Sequence, residues 1–340
     1  MKKHKWTIIF TSALTAFTVF ISLDTFVISS AYQTDATEIN TSVFNNVDTT
    51  DDDTAEDSSS SDTKEHSHRS RKGPGGHGSS KHDSSSGTGT TALSVSDDTE
   101  TIGEYSDSNT AITVTEYTVN DTSVYVADVT LSSAEYLKSA FADDTYGKNV
   151  TDTTSSIASS CDAILAINGD YYGARESGYV IRNGVIYRDT ASDEDVLCIY
   201  ADGTMKVIDS SEVSAGELLA DGVWQAYSFG PALVSDGEIA ITEDEEVGKS
   251  MASNPRTAIG VIDKNHFLFV VSDGRTDESE GLSLYELADF MQSLGATTAY
   301  NLDGGGSSTM YFDGEVINNP TTNGNSIKER SVSDIVYIDK

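Results

Sequence analysis

The chain has 340 residues, with 55 acidic and 21 basic side chains, and a formal net charge of −34 at pH 7. This charge argues against a nucleic-acid binder, because such a protein needs a basic surface to displace counterions, and against adhesion to anionic lipid. Residues 101–340 hold 40 of the acidic side chains but only 13 of the basic ones. The acidity therefore belongs to the part of the chain that also carries most of the aromatic residues.

An export segment is predicted at the N-terminus. Three lysines among the first five residues precede an apolar run from Trp6 to Leu23, an arrangement typical of exported proteins. The segment from Trp6 to Ala31 has 26 residues, long enough to span a bilayer, which takes about 20 residues. The small residues at 29–31 are typical of a cleavage site. We favour a membrane anchor over residues 1–31, with a signal peptide as the alternative. Either one places the rest of the chain outside the cytoplasm and limits membrane contact to this segment.

Residues 32–100 are predicted to form a disordered linker. Serine, glycine and aspartate dominate this stretch. Few large apolar residues occur in it, so burial cannot offset the entropy lost when a chain becomes ordered. From residue 101 the pattern changes, and residues 101–340 are predicted to form a single folded domain.

Hairpin patterns outnumber helix patterns within this domain. Apolar and polar residues alternate on both sides of Asn120-Asp121, which indicates a hairpin. The continuous apolar run at 163–167 is typical of a strand buried on both faces. Two further strand pairs flank turn sequences, at 196–200 with 205–208 and at 258–262 with 267–271.

One amphipathic helix is predicted from Leu284 to Leu294. Ser283 and Glu286 form a capping box at its start, and Gly295 suits its C-terminal cap. Because strands outnumber helices, we expect the α+β class, with a mixed, hairpin-rich β-sheet core and a few packed helices.

The chain has two cysteines, Cys161 and Cys198. Outside the cell such a pair can form a disulfide, and two separate buried thiols are the alternative. Their spacing does not decide between the two.

The densest group of candidate functional residues follows a predicted strand that ends near Asn301. Asp303 is followed there by Gly304, Gly305, Gly306, Ser307, Ser308 and Thr309. Consecutive glycines let backbone amides approach a ligand and can form an anion-binding nest. A P-loop is excluded because no lysine follows the glycines, and a nucleophile elbow is excluded because no glycine closes the motif.

Other polar residues stand at the ends of predicted strands. Arg256 and Arg275 are two of the few cations in an acidic domain, and a guanidinium fork suits a phosphate. Asp273 lies beside the second arginine. Asn168 and Asp170 follow the buried strand. Polar groups at strand ends are well placed to line a pocket.

Five motifs occur in order along the chain: AINGDYY at 166–172, GPALV at 230–234, PRTAIG at 255–260, SDGR at 272–275 and NLDGGGSST at 301–309. Together they resemble the phosphodiester glycosidase family over about residues 105–340. The last motif is the most specific. The first departs from the family's common Asn-Gly-Gly form by carrying an aspartate, which leaves an extra carboxylate role open.

The resemblance implies a single catalytic domain that removes a sugar from a glycosyl-1-phosphodiester, such as a GlcNAc-1-phosphodiester. The expected substrate is a phosphate-linked glycan in cell-surface or exopolysaccharide metabolism, and no cofactor is required. We expect Asp303 and Asp273 to supply the nucleophile or base, with Asp170 as a further catalytic carboxylate. Substrate-binding residues would be Asn168, Arg256, Arg275, Asn301, Gly304, Gly305, Gly306, Ser307, Ser308 and Thr309.

Two other functions remain open from the sequence. A non-catalytic glycan-binding surface module would keep the same motifs without turnover. A metal-dependent phosphodiesterase is motivated by Asp170, Asp273 and Asp303, although no His/Asp pairs have metal-ligand spacing. A structural Ca²⁺ is compatible with so acidic a domain, and the oligomeric state is left open.

Overall fold

The computed structural model describes residues 2–26, 28–32, 37–38, 93–242 and 253–340, with only the backbone described at 2–8, 24–26 and 37–38. All of these belong to one unit, which comprises residues 1–47 and 93–340. Most of the linker predicted at 32–100 lies outside the described residues. Two of its residues, 37 and 38, form a short strand, and the continuous described structure begins at Leu93.

The described part of the chain contains four α-helices and 21 β-strands. The helices are α1 Lys2–Phe26, α2 Thr154–Ser160, α3 Ala215–Ala220 and α4 Leu284–Ser293. The first ten strands are β1 Ser30–Ala31, β2 Thr37–Glu38, β3 Glu100–Ser106, β4 Thr110–Val119, β5 Thr122–Leu131, β6 Lys138–Phe141, β7 Gly147–Lys148, β8 Ala163–Asn168, β9 Val180–Arg182 and β10 Val185–Arg188. The others are β11 Asp195–Tyr200, β12 Met205–Asp209, β13 Val223–Tyr227, β14 Ala232–Ser235, β15 Glu238–Ile239, β16 Arg256–Asp263, β17 His266–Ser272, β18 Thr298–Asn301, β19 Met310–Phe312, β20 Glu315–Val316 and β21 Asp334–Asp339.

Within the described residues, no helix combines the length and the apolar character that crossing a membrane requires.

The largest sheet has eight strands in the order β15-β14-β18-β16-β17-β5-β4-β3. Its β4–β5 hairpin turns through Asn120 and Asp121, whose φ angles of 45° and 59° suit a tight turn. Helix α4 covers one face of this sheet, where Leu287 and Met291 share a buried cluster with Val126 and Leu268. The predicted hairpin and the predicted helix are therefore both present.

Two smaller sheets pack on the opposite face. One has five strands in the order β20-β19-β8-β21-β6, and the other has six in the order β12-β11-β13-β9-β10-β2. Leu165 of β8, Leu197 of β11 and Phe267 of β17 belong to one buried cluster, so the three sheets share a core. All residues of β8 are buried, as its continuous apolar run predicts.

The α+β class with hairpin-rich sheets and few helices is confirmed. The sheets differ from the expected mixed type, since every strand pairing in the described ranges is antiparallel. Helix α4 does join two strands of one direction, β17 and β18, but β16 lies between them and pairs with both. A crossover connection is therefore present without a parallel pair.

The two cysteines are both free thiols. Cys198 is fully buried in β11, and Cys161 caps the C-terminus of α2. Of the two alternatives left by the sequence, the structure contains the separate thiols.

The cap of α4 gives a stability prediction. Ser283 Oγ accepts a hydrogen bond from the Glu286 amide at 3.1 Å, and the Glu286 carboxylate accepts one from the Ser283 amide at 2.8 Å. Replacing Ser283 by Ala should lower the free energy of unfolding by about 1 kcal/mol, because an N-terminal helix donor loses its acceptor. Urea denaturation measures this, with S108A at an exposed loop serine as the matched control. Equal stabilities of the two variants would contradict the assignment.

Candidate active site

Three of the sequence motifs meet at one edge of the eight-stranded sheet. Strands β17 and β18 both pair with β16, so they run in the same direction. The register places Arg256 at the start of β16 opposite Ser272 at the end of β17. It also places Ala258 opposite Asn301 at the end of β18. The residues that follow β17 and β18 therefore lie beside those that open β16.

A cavity of about 140 Å³ lies at this edge. Six predicted site residues line it, namely Arg256, Arg275, Asn301, Asp303, Gly304 and Gly305. Phe229, Asn254 and Arg330 complete the lining. Three guanidinium groups and one carboxylate thus surround a small space in a strongly acidic protein. We refer to it below as the arginine cavity.

Asp303 supplies the carboxylate of the arginine cavity. Its side chain is 11% exposed, and its Oδ2 accepts a hydrogen bond from Nη2 of Arg330 at 2.8 Å. Burial raises the pKa of Asp303, while the Arg330 charge and hydrogen bonds from Ser307 and the Gly304 backbone oppose that rise. The carboxylate is therefore largely shielded from water and is held beside one guanidinium.

The other two arginines are fixed by hydrogen bonds to neighbouring loops. Arg256 is 3% exposed, and its Nε donates to the Leu282 carbonyl at 2.9 Å. Nη2 of Arg275 donates to Asn254 Oδ1 at 2.9 Å. Burial, and then the nearby charge of Arg330, lowers the pKa of Arg275. An anion bound between Arg275 and Arg330 would relieve the repulsion between their charges.

Asn301 presents an unsatisfied acceptor at the arginine cavity. Its Nδ2 donates to the Gly230 carbonyl at 2.8 Å. Its Oδ1 is buried and has no hydrogen-bond partner in the described protein. A buried oxygen without a donor is costly, so a ligand hydroxyl at this position would gain a bond that the protein itself does not supply.

Three backbone amides of the glycine loop donate hydrogen bonds within the protein. Gly305 has φ of 64°, in the left-handed region that favours glycine, and its N–H donates to the Pro255 carbonyl at 2.8 Å. The N–H groups of Ser307 and Ser308 donate to carbonyls of the same loop. These amides are already engaged, and the positive charge of the cavity comes from arginine side chains.

The remaining residues of this motif lie behind the cavity lining. A Cβ on Gly306 would come within 2.4 Å of a neighbouring threonine oxygen, so the loop passes too closely for a side chain. Ser307 Oγ accepts a hydrogen bond from Nε of Arg330 at 2.8 Å. Ser308 and Thr309 are fully buried, and their hydroxyl oxygens have no partner in the described protein. Neither residue lines the arginine cavity.

Asn168 connects the strands around Asp303. It is fully buried, and its Nδ2 donates to the Asp303 carbonyl at 2.6 Å. Its Oδ1 accepts hydrogen bonds from Thr257 Oγ1 at 2.9 Å and from the Thr309 amide at 3.3 Å. This side chain is occupied by the protein on both ends, so it positions the loop and does not line the cavity as predicted.

Asp170 belongs to a buried ion cluster. Nη2 of Arg182 lies 2.9 Å from Asp170 Oδ1 and 2.8 Å from Asp334 Oδ2, and each of these side chains is 1% exposed. Oδ2 of Asp170 accepts a hydrogen bond from the Ser228 amide at 2.8 Å. Both oxygens are engaged, so Asp170 fixes the segment that carries Phe229 and does not face the arginine cavity.

Asp273 also lies outside the cavity lining. It is 3% exposed and accepts hydrogen bonds from Asn318 Nδ2 at 3.1 Å and from the Asn319 amide at 2.8 Å. Burial raises its pKa, and these hydrogen bonds oppose the rise. The carboxylate predicted as a second catalytic group thus holds the loop around residue 318.

Sequence reasoning missed Arg330, Asn254 and Phe229. Arg330 stands in the charged stretch Lys328–Arg330, well beyond the last motif, and only its rarity as a cation in the acidic domain could have pointed to it. Asn254 and Phe229 each lie directly beside a recognised motif. Their position next to a motif was the signal by which the sequence could have identified them.

The family model described as phosphodiester glycosidase matches residues 162–339, which is more than half of the chain. The chain belongs to the phosphodiester glycosidase family. The resemblance seen in the five sequence motifs is thereby confirmed. The match includes every residue that lines the arginine cavity.

Similar proteins include one of unknown role and several enzymes. The SPbeta prophage-derived uncharacterized protein YomE of Bacillus subtilis is 31% identical over 182 residues, which cover 51% of this chain and 28% of that protein. The N-acetylglucosamine-1-phosphodiester alpha-N-acetylglucosaminidase of Mus musculus is 30% identical over 109 residues, 31% of this chain and 21% of the mouse protein. The Homo sapiens enzyme of that name is 29% identical over 41% of this chain and 25% of its own length. The chain spans about a quarter of the length of these relatives.

A solved structure shares the fold. The zebrafish N-acetylglucosamine-1-phosphodiester alpha-N-acetylglucosaminidase catalytic domain, auto-inhibited by its pro-peptide, superposes with a TM-score of 0.55 and 19% identity. The superposition covers 72% of this chain and 88% of that domain. At this identity the likeness concerns the fold alone.

The ion cluster predicts how stability depends on pH. Burial raises the pKa of Asp334 to about 7, and its Oδ1 has no hydrogen-bond partner in the described protein. An aspartate in the unfolded chain has a pKa of about 3.9. The folded state therefore binds the Asp334 proton more tightly than the unfolded state does. The contribution of Asp334 to the free energy of unfolding then declines as pH rises from about 4 to about 7.

We therefore expect the unfolding free energy of the wild type, relative to D334N, to fall between pH 5 and pH 7 and to level off above pH 8. Asparagine resembles the protonated acid, which is why the variant serves as reference. Urea denaturation at four pH values measures the difference, with D339N on the same strand as control. A difference that is flat or rises with pH would overturn the assignment.

Proposed function

We propose that this domain hydrolyses glycosyl-1-phosphodiesters by cleaving the bond between the anomeric carbon and the phosphate oxygen. One observation carries the proposal: a single carboxylate, Asp303, stands among three guanidinium groups in the arginine cavity. Arginines bind phosphate oxygens with good geometry. A carboxylate stabilises the positive charge that develops on a sugar ring when its glycosidic bond breaks. Membership of the phosphodiester glycosidase family supports the same reaction.

The charges of the cavity suit the leaving group. A phosphomonoester leaves as an anion of low basicity, so it needs little help from a general acid. It needs fixed positive charge at the oxygens where negative charge develops. Arg256, Arg275 and Arg330 provide that charge, and hydrogen bonds to the protein hold each of them in place before substrate arrives.

Asp303 is the residue we place at the anomeric carbon. Its Oδ2 accepts a hydrogen bond from Arg330. A phosphate bound to Arg330 would therefore lie next to the sugar carbon at Asp303. The unpaired Oδ1 of Asn301 would accept a hydrogen bond from a sugar hydroxyl. In this role Asp303 either stabilises the developing cation or attacks it, and water completes the hydrolysis.

The three carboxylates that motivate a metal-dependent phosphodiesterase are not brought together. Asp170 and Asp273 lie outside the lining of the arginine cavity, whereas Asp303 lies in it. Across the described ranges, no three His, Cys, Asp or Glu side chains are grouped as metal ligands. A structural Ca²⁺ stays a prediction from composition. A glycan-binding module without turnover would use the same cavity, and only an activity measurement separates it from the enzyme.

The site of action is part of the proposal. Lysines followed by an apolar run at the N-terminus favour export. A phosphate-linked glycan of the cell surface or of an exopolysaccharide is then the accessible substrate class. The relatives whose names include N-acetylglucosamine-1-phosphodiester make GlcNAc-1-phosphodiesters the first compounds to assay.

Hydrolysis in ¹⁸O-labelled water tests the bond that is cleaved. The full chain would be incubated with a GlcNAc-1-phosphodiester, and the products would be analysed by mass spectrometry. We expect the label in the released sugar, because water adds to the anomeric carbon. Label in the phosphate would contradict the proposal and favour a phosphodiesterase. No product at all from a folded protein that binds the diester would favour the glycan-binding module.

Substitution of Asp303 tests its role. D303N should lower kcat/KM by about 10²–10⁴-fold, the range expected when a positioned catalytic carboxylate is lost. D313N is the matched control, since the Asp313 carboxylate is 67% exposed and Asp313 does not line the cavity. Thermal unfolding of both variants checks that they are folded. Full activity in a folded D303N variant would rule out the assignment.

A further inference from the structure

Arg330 lies between two cavities. On one side it lines the arginine cavity, and on the other it lines a second cavity of about 400 Å³. The second cavity is lined by Arg330, Tyr171, Asn149, Thr151, Ser331 and Ser333, with two small residues between them. We call it the outer cavity. A phosphate bound to Arg330 would therefore stand at the boundary of two spaces.

The side chains of the outer cavity suit a neutral, hydroxyl-rich ligand. Apart from Arg330 its polar groups are hydroxyls and one carboxamide, and none of its lining residues is acidic. Hydroxyl and amide groups both donate and accept hydrogen bonds. An aromatic side chain adds a flat apolar surface that can cover one face of a ring. Such a mixture of a few convergent polar groups and an aromatic is typical of small-molecule sites.

Tyr171 is presented to this cavity at a cost to the backbone. Its φ is 66°, in the region that favours glycine, and its side chain is 44% exposed. Both neighbours, Asp170 and Tyr172, are fully buried and hold the backbone on either side. A bulky residue in a strained conformation, held by buried neighbours and pointing to solvent, indicates a functional constraint.

We propose that the outer cavity binds the aglycone of the diester, as a sugar or similar polyol esterified to the far side of the phosphate, and that Tyr171 stacks on it. The inference rests on the proposed hydrolysis of glycosyl-1-phosphodiesters. Asp303 and Arg330 are 2.8 Å apart in the arginine cavity, so the glycosyl group is placed there. The second ester of a phosphate on Arg330 then has the outer cavity as its neighbouring space.

The test compares two diesters of the same sugar-1-phosphate, one with a hexose aglycone and one with a methyl group. In Y171A, the ratio of kcat/KM for the hexose diester to that for the methyl diester should fall about tenfold, which corresponds to ~1.4 kcal/mol. Y171F keeps the ring and should restore the wild-type ratio to within about twofold. Y105A, at a tyrosine that lines neither cavity, is the matched control.

A second variant protects the test against misfolding of the first. Ala174 is exposed and lines the outer cavity, so A174W should fill the space without disturbing the core. It should lower the same ratio. If wild-type protein hydrolyses both diesters and neither Y171A nor A174W changes the ratio, the outer cavity is not an aglycone site. If wild-type protein hydrolyses neither, the proposed function itself fails.

Discussion

One buried guanidinium, that of Arg182, holds together the parts of this fold that build the site. Its partners are Asp170, two residues after β8, and Asp334, at the start of β21. It also donates to the Ala226 carbonyl in β13. The five-stranded and six-stranded sheets are therefore tied through one side chain. Burial would lower the pKa of Arg182, but the two carboxylates outweigh that effect and raise it, so it remains charged.

Backbone hydrogen bonds connect this ion cluster to the residues of the arginine cavity. The Gly169 amide donates to the Asp334 carbonyl, and the Gly169 carbonyl accepts from the Asp303 amide. On the other side, Asp170 accepts from the Ser228 amide, next to a residue of the cavity lining. Removing Arg182 from this cluster would leave two buried carboxylates without their counter-charge, which is strongly destabilising. The aspartate that replaces the family's common glycine thus has a structural role, and a catalytic role has no geometric support.

Positive and negative charges are unevenly distributed in the domain. Carboxylates dominate the chain, whereas three arginines converge on one small cavity with a single carboxylate. Burial, and then the charge of Arg330, lowers the pKa of Arg275. An anion between them is the natural compensation. The acidic remainder of the domain disfavours nonspecific binding of anionic polymers.

The sequence by itself determined the local elements and part of the site. Turn residues such as Asn120 and the capping box at Ser283 act over a few residues, so their effect is readable from neighbouring letters. The motifs that open β16 and follow β17 and β18 identified most of the predicted residues that line the cavity. These residues meet because adjacent antiparallel strands bring their ends to one edge.

Only the tertiary structure decided which polar groups line the arginine cavity. Asp303, Asp273 and Asp170 look alike in sequence, since each follows a strand beside glycine. Their environments differ because distant segments hold Asp273 and Asp170 away from the cavity, whereas Asp303 lines it and pairs there with Arg330. Arg330 enters the site from a segment with no motif of its own. Hydrogen-bond partners that are far apart along the chain are set by sheet packing, which no local pattern encodes.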